Sequence, residues 1–385
     1  MFPFEFILFG ATLLGVMLLH GKHLQVALVG LASIVTYKLF FTEVNLVAHA
    51  LHETPLILNL LGLLVGFELM ADHFQRSKLA LKAPAILPDD WKGPFVLLML
   101  VFVLSIFLDN IAAAMIGGSL AKVVFQGKVR VGYLAGIVAA SNAGGAGSVI
   151  GDTTTTMMWI DGVSWLDVTH AFLPAVVALF VFGIPLSKAQ QRFQSIVKDE
   201  IASHGSDHAI VDYGRVFVAM AMLVGVVAGN ILIDFPAAGL WVAILVSALY
   251  RRPHWEDVPS ATLNACFLLA LVLCASLMPV ETLPFASPET VFSLGFISAV
   301  FDNIPLTKLA LVQGGYDWGW LAYSVGFGGS MMWFGSSAGV ALAKDNPRMR
   351  DTRTFIKESW IIPVAYIIGF ASLFLLGWHP HAPHK

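Results

Sequence analysis

Residues 4–19, 24–37, 169–186, 216–233, 262–280 and 359–377 are apolar runs, each close to the roughly 20 residues an α-helix needs to cross hydrocarbon. A chain carrying this many such runs folds in a bilayer, where each backbone amide and carbonyl must find its partner within the protein. The expected fold class is therefore an all-α polytopic membrane protein. Composition agrees: 57% of the 385 residues are hydrophobic and 12% charged, against about 45–50% and 25% in soluble domains, which excludes a soluble enzyme. The net charge of −3 offers no basic field for nucleic acid, and the lipid bilayer is the partner that composition demands. The first run carries Glu5 and is followed by neither a small-residue cleavage site nor a soluble domain, so it reads as a retained span, not a signal peptide. Cys266 and Cys274 lie eight residues apart on one apolar run, about 12 Å along a helix axis, too far to bridge; they read as core packing.

Two further segments are too short to span. Residues 94–108 (PFVLLMLVFVLSIFL) form an apolar arm that reaches about 22 Å at 1.5 Å per residue, past mid-bilayer but short of a crossing. Asp109 and Asn110 stand at its tip, and an amphipathic return arm leads back to Lys122. Both flanks are basic, through Arg76, Lys78, Lys82 and Lys92 on one side and Lys122, Lys128 and Arg130 on the other, so this hairpin should enter from the cytoplasm. The pattern returns at 288–313 with Asp302 and Asn303 at the tip and no Lys or Arg in the flanks. That hairpin should enter from outside. Threading the chain this way gives about eleven membrane elements with both termini outside. All 22 Lys and Arg residues except Lys38, Lys308 and Lys385 then fall on the cytoplasmic side, and two of those exceptions sit near ends where a long side chain can snorkel.

The hairpins share sequence as well as shape. SIFLDNI (Ser105 to Ile111) and SAVFDNI (Ser298 to Ile304) keep Ser, Asp, Asn and Ile at one spacing, and about 30 residues later come small-residue breaks, SNAG (Ser141 to Gly144) and SSAG (Ser336 to Gly339). Two halves of opposite orientation, each a hairpin followed by a broken helix, predict an inverted-repeat secondary transporter with two re-entrant hairpins and two broken transmembrane helices. The expected organisation is a first repeat over 1–187, with hairpin 94–122 and broken helix 130–160. A cytoplasmic linker over 188–213 then leads to a second repeat over 214–385, with hairpin 288–313 and broken helix 318–343.

A carboxylate at mid-membrane costs roughly 2.5–3.5 kcal/mol on insertion scales, so Asp109 and Asp302 require partners or a task. Each adjoins an Asn (Asn110, Asn303) and follows a Ser by one turn (Ser105, Ser298), which gathers hard oxygen ligands. The structural alternative has each Asp capping the helix that follows it. In SNAGGAGSVIGDTTTTMMW (Ser141 to Trp159), Gly144, Gly145, Gly147 and Gly151 should weaken a crossing helix and free backbone groups, with Asn142, Asp152, Thr154 and Thr155 adding side-chain oxygen around the break. The alternative there is close helix packing at the glycines. Asp152 has no acidic counterpart in the second half.

FLDN (Phe107 to Asn110), NAGGAGSVIGDTTTTMMWI (Asn142 to Ile160), FDNIPL (Phe301 to Leu306) and GGSMMWFGSSAGVA (Gly328 to Ala341) together resemble, in order, the signatures of NhaD-type sodium/proton antiporters. These belong to the ion-transporter superfamily that also holds arsenite permeases and divalent-anion/sodium symporters. FELMADHF (Phe67 to Phe74) is similar to an early helix of that family. The resemblance implies a hairpin-and-broken-helix transport domain, a separate scaffold, a homodimer in a bacterial inner membrane, and no cofactor. It carries cation-site roles onto Ser105, Asp109, Asn110, Asn142, Asp152, Thr154, Thr155, Ser298 and Asn303. Glu68 stands at a position the family shares, for a scaffold hydrogen bond or a proton path. Two features depart from the pattern: Ala112, Ala113 and Ala114 stand where hydroxyl residues are expected, and Lys308 adds a charge to the second hairpin. Lys308 either neutralises Asp302 or snorkels outward; otherwise it holds an anion or competes with sodium.

The leading expectation is exchange of sodium or lithium for protons by alternating access at these carboxylates, with Ser336 and Ser337 of the second break among the ligands. The alternative is sodium-coupled transport of a small di- or tricarboxylate or oxyanion, motivated by Lys308 and by helix N-termini at the breaks. Gly335-Ser336-Ser337-Ala338-Gly339 formally matches the G-x-S-x-G elbow of a hydrolase, which requires a strand–turn–helix context. His379, His381 and His384 in the tail, separated by two prolines, define no metal geometry.

Overall fold

The computed structural model describes residues 3–82, 87–197 and 210–381. Residues 198–209 of the expected linker, together with His384 and Lys385, lie outside the described residues.

In chain order the helices are α1 (Phe4–Leu18), α2 (His23–Phe41), α3 (Leu46–Arg76), α4 (Lys92–Phe107), α5 (Asn110–Val124), α6 (Val131–Ala146), α7 (Thr153–Ile160), the short α8 (Trp165–Thr169) and α9 (Phe172–Phe193). There follow α10 (Tyr213–Ile233), α11 (Pro236–Ser247), α12 (Val258–Ser276), α13 (Pro288–Ser298), α14 (Asn303–Gln313), α15 (Trp318–Gly328), α16 (Ser337–Asp345), α17 (Thr352–Ser359) and α18 (Ile361–Leu373). No strand occurs among the described residues. Five helical stretches are long and apolar enough to cross a membrane, and α17 with α18, bent by 50°, makes a sixth if taken as one span. The chain is an integral membrane protein. Its outward faces match: α10 exposes Phe217, Val224, Ile231 and Leu232, and α11 exposes Val242, Leu245 and Val246, apolar side chains that hydrocarbon accommodates.

The centre is made by α6 and α15, whose every residue is buried. They touch each other, and each is flanked by the first arm of a hairpin, α4 beside α6 and α13 beside α15. The return arms cross over: α5 packs on α16, and α14 packs on α7. Glycines allow these approaches. A Cβ at Gly144 would lie 2.1 Å from the Phe102 carbonyl oxygen, and one at Gly328 would lie 2.3 Å from that of Gly295. Likewise a Cβ at Gly145 would sit 2.8 Å from the Gly151 oxygen, and one at Gly329 2.7 Å from the Gly335 oxygen. The last two contacts span the same six residues, 145 to 151 and 329 to 335, while the first two join α6 and α15 each to the first arm of a hairpin across unequal spacings.

The breaks do not fall where the small-residue tetrads suggest. Ser141 to Gly144 remain helical within α6, which ends at Ala146, and the irregular stretch is Gly147 to Asp152. The second break runs through a 3-10 turn at Gly329–Met331 to Ser336, so Ser336 and Ser337 begin the following helix instead of interrupting one. Glycine at 144 and 145 serves packing. What restarts each helix is a capping side chain, Asp152 or Ser336, at equivalent places.

Lys38 also departs from expectation. It is 6% exposed and pairs with Glu5 at 3.1 Å, so it neutralises a buried carboxylate between α1 and α2 instead of snorkelling. Cys274 is buried and Cys266 partly so, both free thiols.

Candidate functional site

Three aspartates sit at the N-caps of three helices that meet inside the protein. The Oδ1 atoms of Asp109, Asp302 and Asp152 accept the amides of Ile111 (2.7 Å), Ile304 (3.0 Å) and Thr154 (2.8 Å). The capping alternative is therefore real, yet each cap occupies one carboxylate oxygen. The N-termini of α5, α14 and α7 hold the carboxyl groups in fixed orientation. Asp152 is within electrostatic reach of both Asp109 and Asp302, so the three charges form one cluster.

Amides join the start of α5 to α6 and to the N-cap of α7. Asn110 Nδ2 donates to Asn142 Oδ1 at 3.1 Å and to Asp152 Oδ2 at 3.3 Å. Asn142 Nδ2 in turn donates to Ser330 Oγ at 3.0 Å, carrying the network into the second break. Asn110, Asn142, Asp152 and Ser330 are all buried. Gly326 of α15 completes the wall, since a Cβ there would lie 3.1 Å from Ala146 Cβ and 3.7 Å from Asp152 Oδ2. Ser337 Oγ lies 3.5 Å from Asp302 Oδ2 on the opposite side.

The expected hydroxyl ligands separate into two groups. Thr154 Oγ1 donates to Asp152 Oδ1 at 2.8 Å, and Ser105 Oγ is fully buried with no hydrogen-bond partner, an oxygen left unspent in the interior. By contrast Thr155 Oγ1 bonds the carbonyls of Ser148 (2.5 Å) and Asp152 (2.9 Å), and Ser298 Oγ donates to the Val325 carbonyl at 2.7 Å. The Thr155 proton thus serves carbonyls of the first break, and that of Ser298 serves a carbonyl in the last turn of α15. Ser336 Oγ accepts the Gly339 amide at 3.2 Å, and Asn303 is buried at the start of α14. Gly335 to Gly339 lies on a helix restart with no strand before it among the described residues, so the hydrolase elbow is not formed.

Lys308 meets neither Asp302 nor water. Its Nζ lies 2.9 Å from Glu53 Oε2 on α3 and 4.0 Å from Asp161 Oδ1, with Lys308 3% exposed. Glu68 is on the exposed side of α3, with Asp72, Asp257 and Asp109 within electrostatic reach. Sequence reasoning missed three participants. Glu53 is a charge inside an apolar helix and was detectable on that ground. Ser330 lies within a quoted motif but carries no spacing signal. Ser148 donates to the Ile106 carbonyl at 2.6 Å and receives the amides of Ile150 and Gly151, a stitch between hairpin and break that only folding creates.

No family model matches the chain. It is 31% identical over 319 residues to a protein of Arabidopsis thaliana named sodium/proton antiporter 1, covering 72% of this chain and 52% of that protein. It is 28% identical over 282 residues to sodium/proton antiporter 2 of the same plant, covering 62% and 66%. It is 27% identical over 329 residues to Na(+)/H(+) antiporter NhaD of Alkalimonas amylolytica, covering 72% and 68%. The chain thus spans between about half and two thirds of the length of these relatives.

Proposed function

As a relative of proteins named sodium/proton antiporter, NhaD among them, this chain is one for which we propose exchange of sodium or lithium for protons by alternating access. The observation that carries the proposal is Asn110 reaching Asn142 and Asp152 at once, with Asp109 and Asp302 each within electrostatic reach of Asp152. A hard cation seeks carboxylate and amide oxygen of this kind, and Ser105 Oγ offers an oxygen with no other use. Protons compete for the same carboxylates, so one population of oxygens serves both ions. The assay is sodium-induced dequenching of a pH dye in vesicles. Asp109→Asn and Asp152→Asn should each abolish it, and intact exchange in both variants would remove the carboxylate mechanism.

The same proposal takes the paired hairpins as re-entrant, entering from opposite sides, and the two halves as an inverted repeat over 1–187 and 214–385. The matched glycine contacts and the crossed packing of α5 on α16 and α14 on α7 support that reading. Assembly as a homodimer in a bacterial inner membrane belongs to it through the family likeness, and the placement of both termini outside follows from the distribution of basic residues between loops. Cysteine accessibility at the described ends and cross-linking in membranes test these two points.

Sodium-coupled anion transport is the weaker reading. Lys308 is held by Glu53, and the helix N-termini that an anion would use already face the protein's own aspartates. Sodium-dependent uptake of labelled citrate, succinate or sulfate would favour it.

A further inference from the structure

Away from the aspartate cluster, three potential metal ligands converge where α3 ends and α12 begins. Asp72, His254 and Asp257 each present one ligand atom, and these atoms lie within 4.8 Å of one another. They come from three places in the chain fold: the last turns of α3, the loop after α11, and the N-cap of α12. We propose that this triad is a binding site for a divalent transition-metal ion, with Zn2+ as the reference occupant.

Two of the ligand atoms already face each other in an ion pair without a hydrogen bond: Asp72 Oδ2 and His254 Nδ1, 3.4 Å apart and shielded from solvent. Asp257 occupies an N-cap position, where aspartate ordinarily accepts a backbone amide, yet its side chain makes no capping bond. Its carboxylate is left for the triad. Asp72 is also oriented from behind: Arg76 Nε donates to Oδ1 at 2.5 Å, fixing the carboxylate with Oδ2 toward His254. An outer-shell hydrogen bond that sets a ligand's direction is the usual accompaniment of a metal ligand. Glu68, one turn before Asp72, has both triad carboxylates within electrostatic reach and adds negative field that a dication relieves.

One imidazole and two carboxylates form a mixed nitrogen–oxygen set. Such a set suits Zn2+, Co2+ or Mn2+, and it discriminates against sodium, which gains nothing from imidazole. The site is thus chemically separate from the transported-ion cluster, and its failure would leave the exchange proposal untouched. Occupation ties the loop carrying His254 and Asp257 to the end of α3.

The test uses the purified protein in which His379, His381 and His384 are all replaced by Ala, so that the tail supplies no competing imidazole. Calorimetric titration with Zn2+ should show one equivalent bound, and Co2+ should give a visible ligand-field spectrum that Zn2+ bleaches. His254→Ala and Asp257→Asn should each weaken binding at least about tenfold and remove the spectrum. The milder His254→Gln guards against a folding artefact, with unchanged gel-filtration elution required of every variant. Absence of Zn2+ binding in the tail-free protein, or binding that survives both His254→Ala and Asp257→Asn, would reduce the triad to a His254–Asp72 ion pair and overturn the proposal.

Discussion

Lys308 Nζ and Glu53 Oε2 lie 2.9 Å apart in a region where both residues are buried, joining the return arm of the second hairpin to α3. Two charges removed from water are stable only as a pair. Lys308→Met strands Glu53 and should cost about 3–5 kcal/mol, whereas the double variant Lys308→Met with Glu53→Gln should recover most of it. Thermal unfolding in detergent reads both. A single variant as stable as the parent would mean that the pair does not tie the hairpin down.

Asn110 is the side chain that bonds two members of the candidate site at once. Asn110→Ala removes its bonds to Asn142 and Asp152 and leaves their oxygens without a donor. The apparent sodium affinity in vesicles should fall about tenfold, equivalent to about 1.4 kcal/mol. Ser330→Ala, one bond further along, should have a smaller effect in the same direction. Equal affinities in all three proteins would disconnect the amide chain from cation binding.

Glycine substitutions separate packing from conformation. A Cβ at Gly151 would lie 1.8 Å from the Ser105 carbonyl oxygen, backbone that cannot step aside, so Gly151→Ala should prevent stable folding or abolish exchange. Gly10 within α1 has nothing within 4 Å of its added Cβ, and Gly10→Ala should be neutral or stabilising by up to about 1 kcal/mol. Melting temperatures of the two variants should therefore move in opposite directions or not at all for Gly10.

Competition between protons and sodium for one set of carboxylates fixes the sign of the pH effect. Raising pH empties the oxygens of protons, so the apparent KM for sodium should fall as pH rises, approaching tenfold per unit for one proton displaced per ion. Maximal rate should decline again at high pH as proton supply fails. A KM independent of pH would show that the two ions do not share a site.

The sequence marked out the embedded polar residues more clearly than their geometry. Asp109, Asp302, Asn142 and Asp152 were identifiable because ionisable or amide groups in apolar segments require partners. It misplaced the breaks, because glycine at 144 and 145 reads as helix-weakening when the deciding fact is the Phe102 carbonyl packed against one and the Gly151 carbonyl against the other. Nor does a hydroxyl's spacing reveal which carbonyl will take its proton, as Thr155 gives its own to Ser148 and Asp152 and Ser298 to Val325.

Apolar run lengths and embedded acids, being properties of the chain taken in order, were enough to establish a membrane protein with duplicated aspartate tips. Which residue lies opposite another is a property of contacts between positions far apart in the chain. Thus Glu53 received Lys308, Glu5 received Lys38, Ser330 received Asn142, and the loop histidine His254 met Asp72 only once the helices had packed. Desolvation makes such pairings obligatory without naming the partner, and the fold alone supplies it.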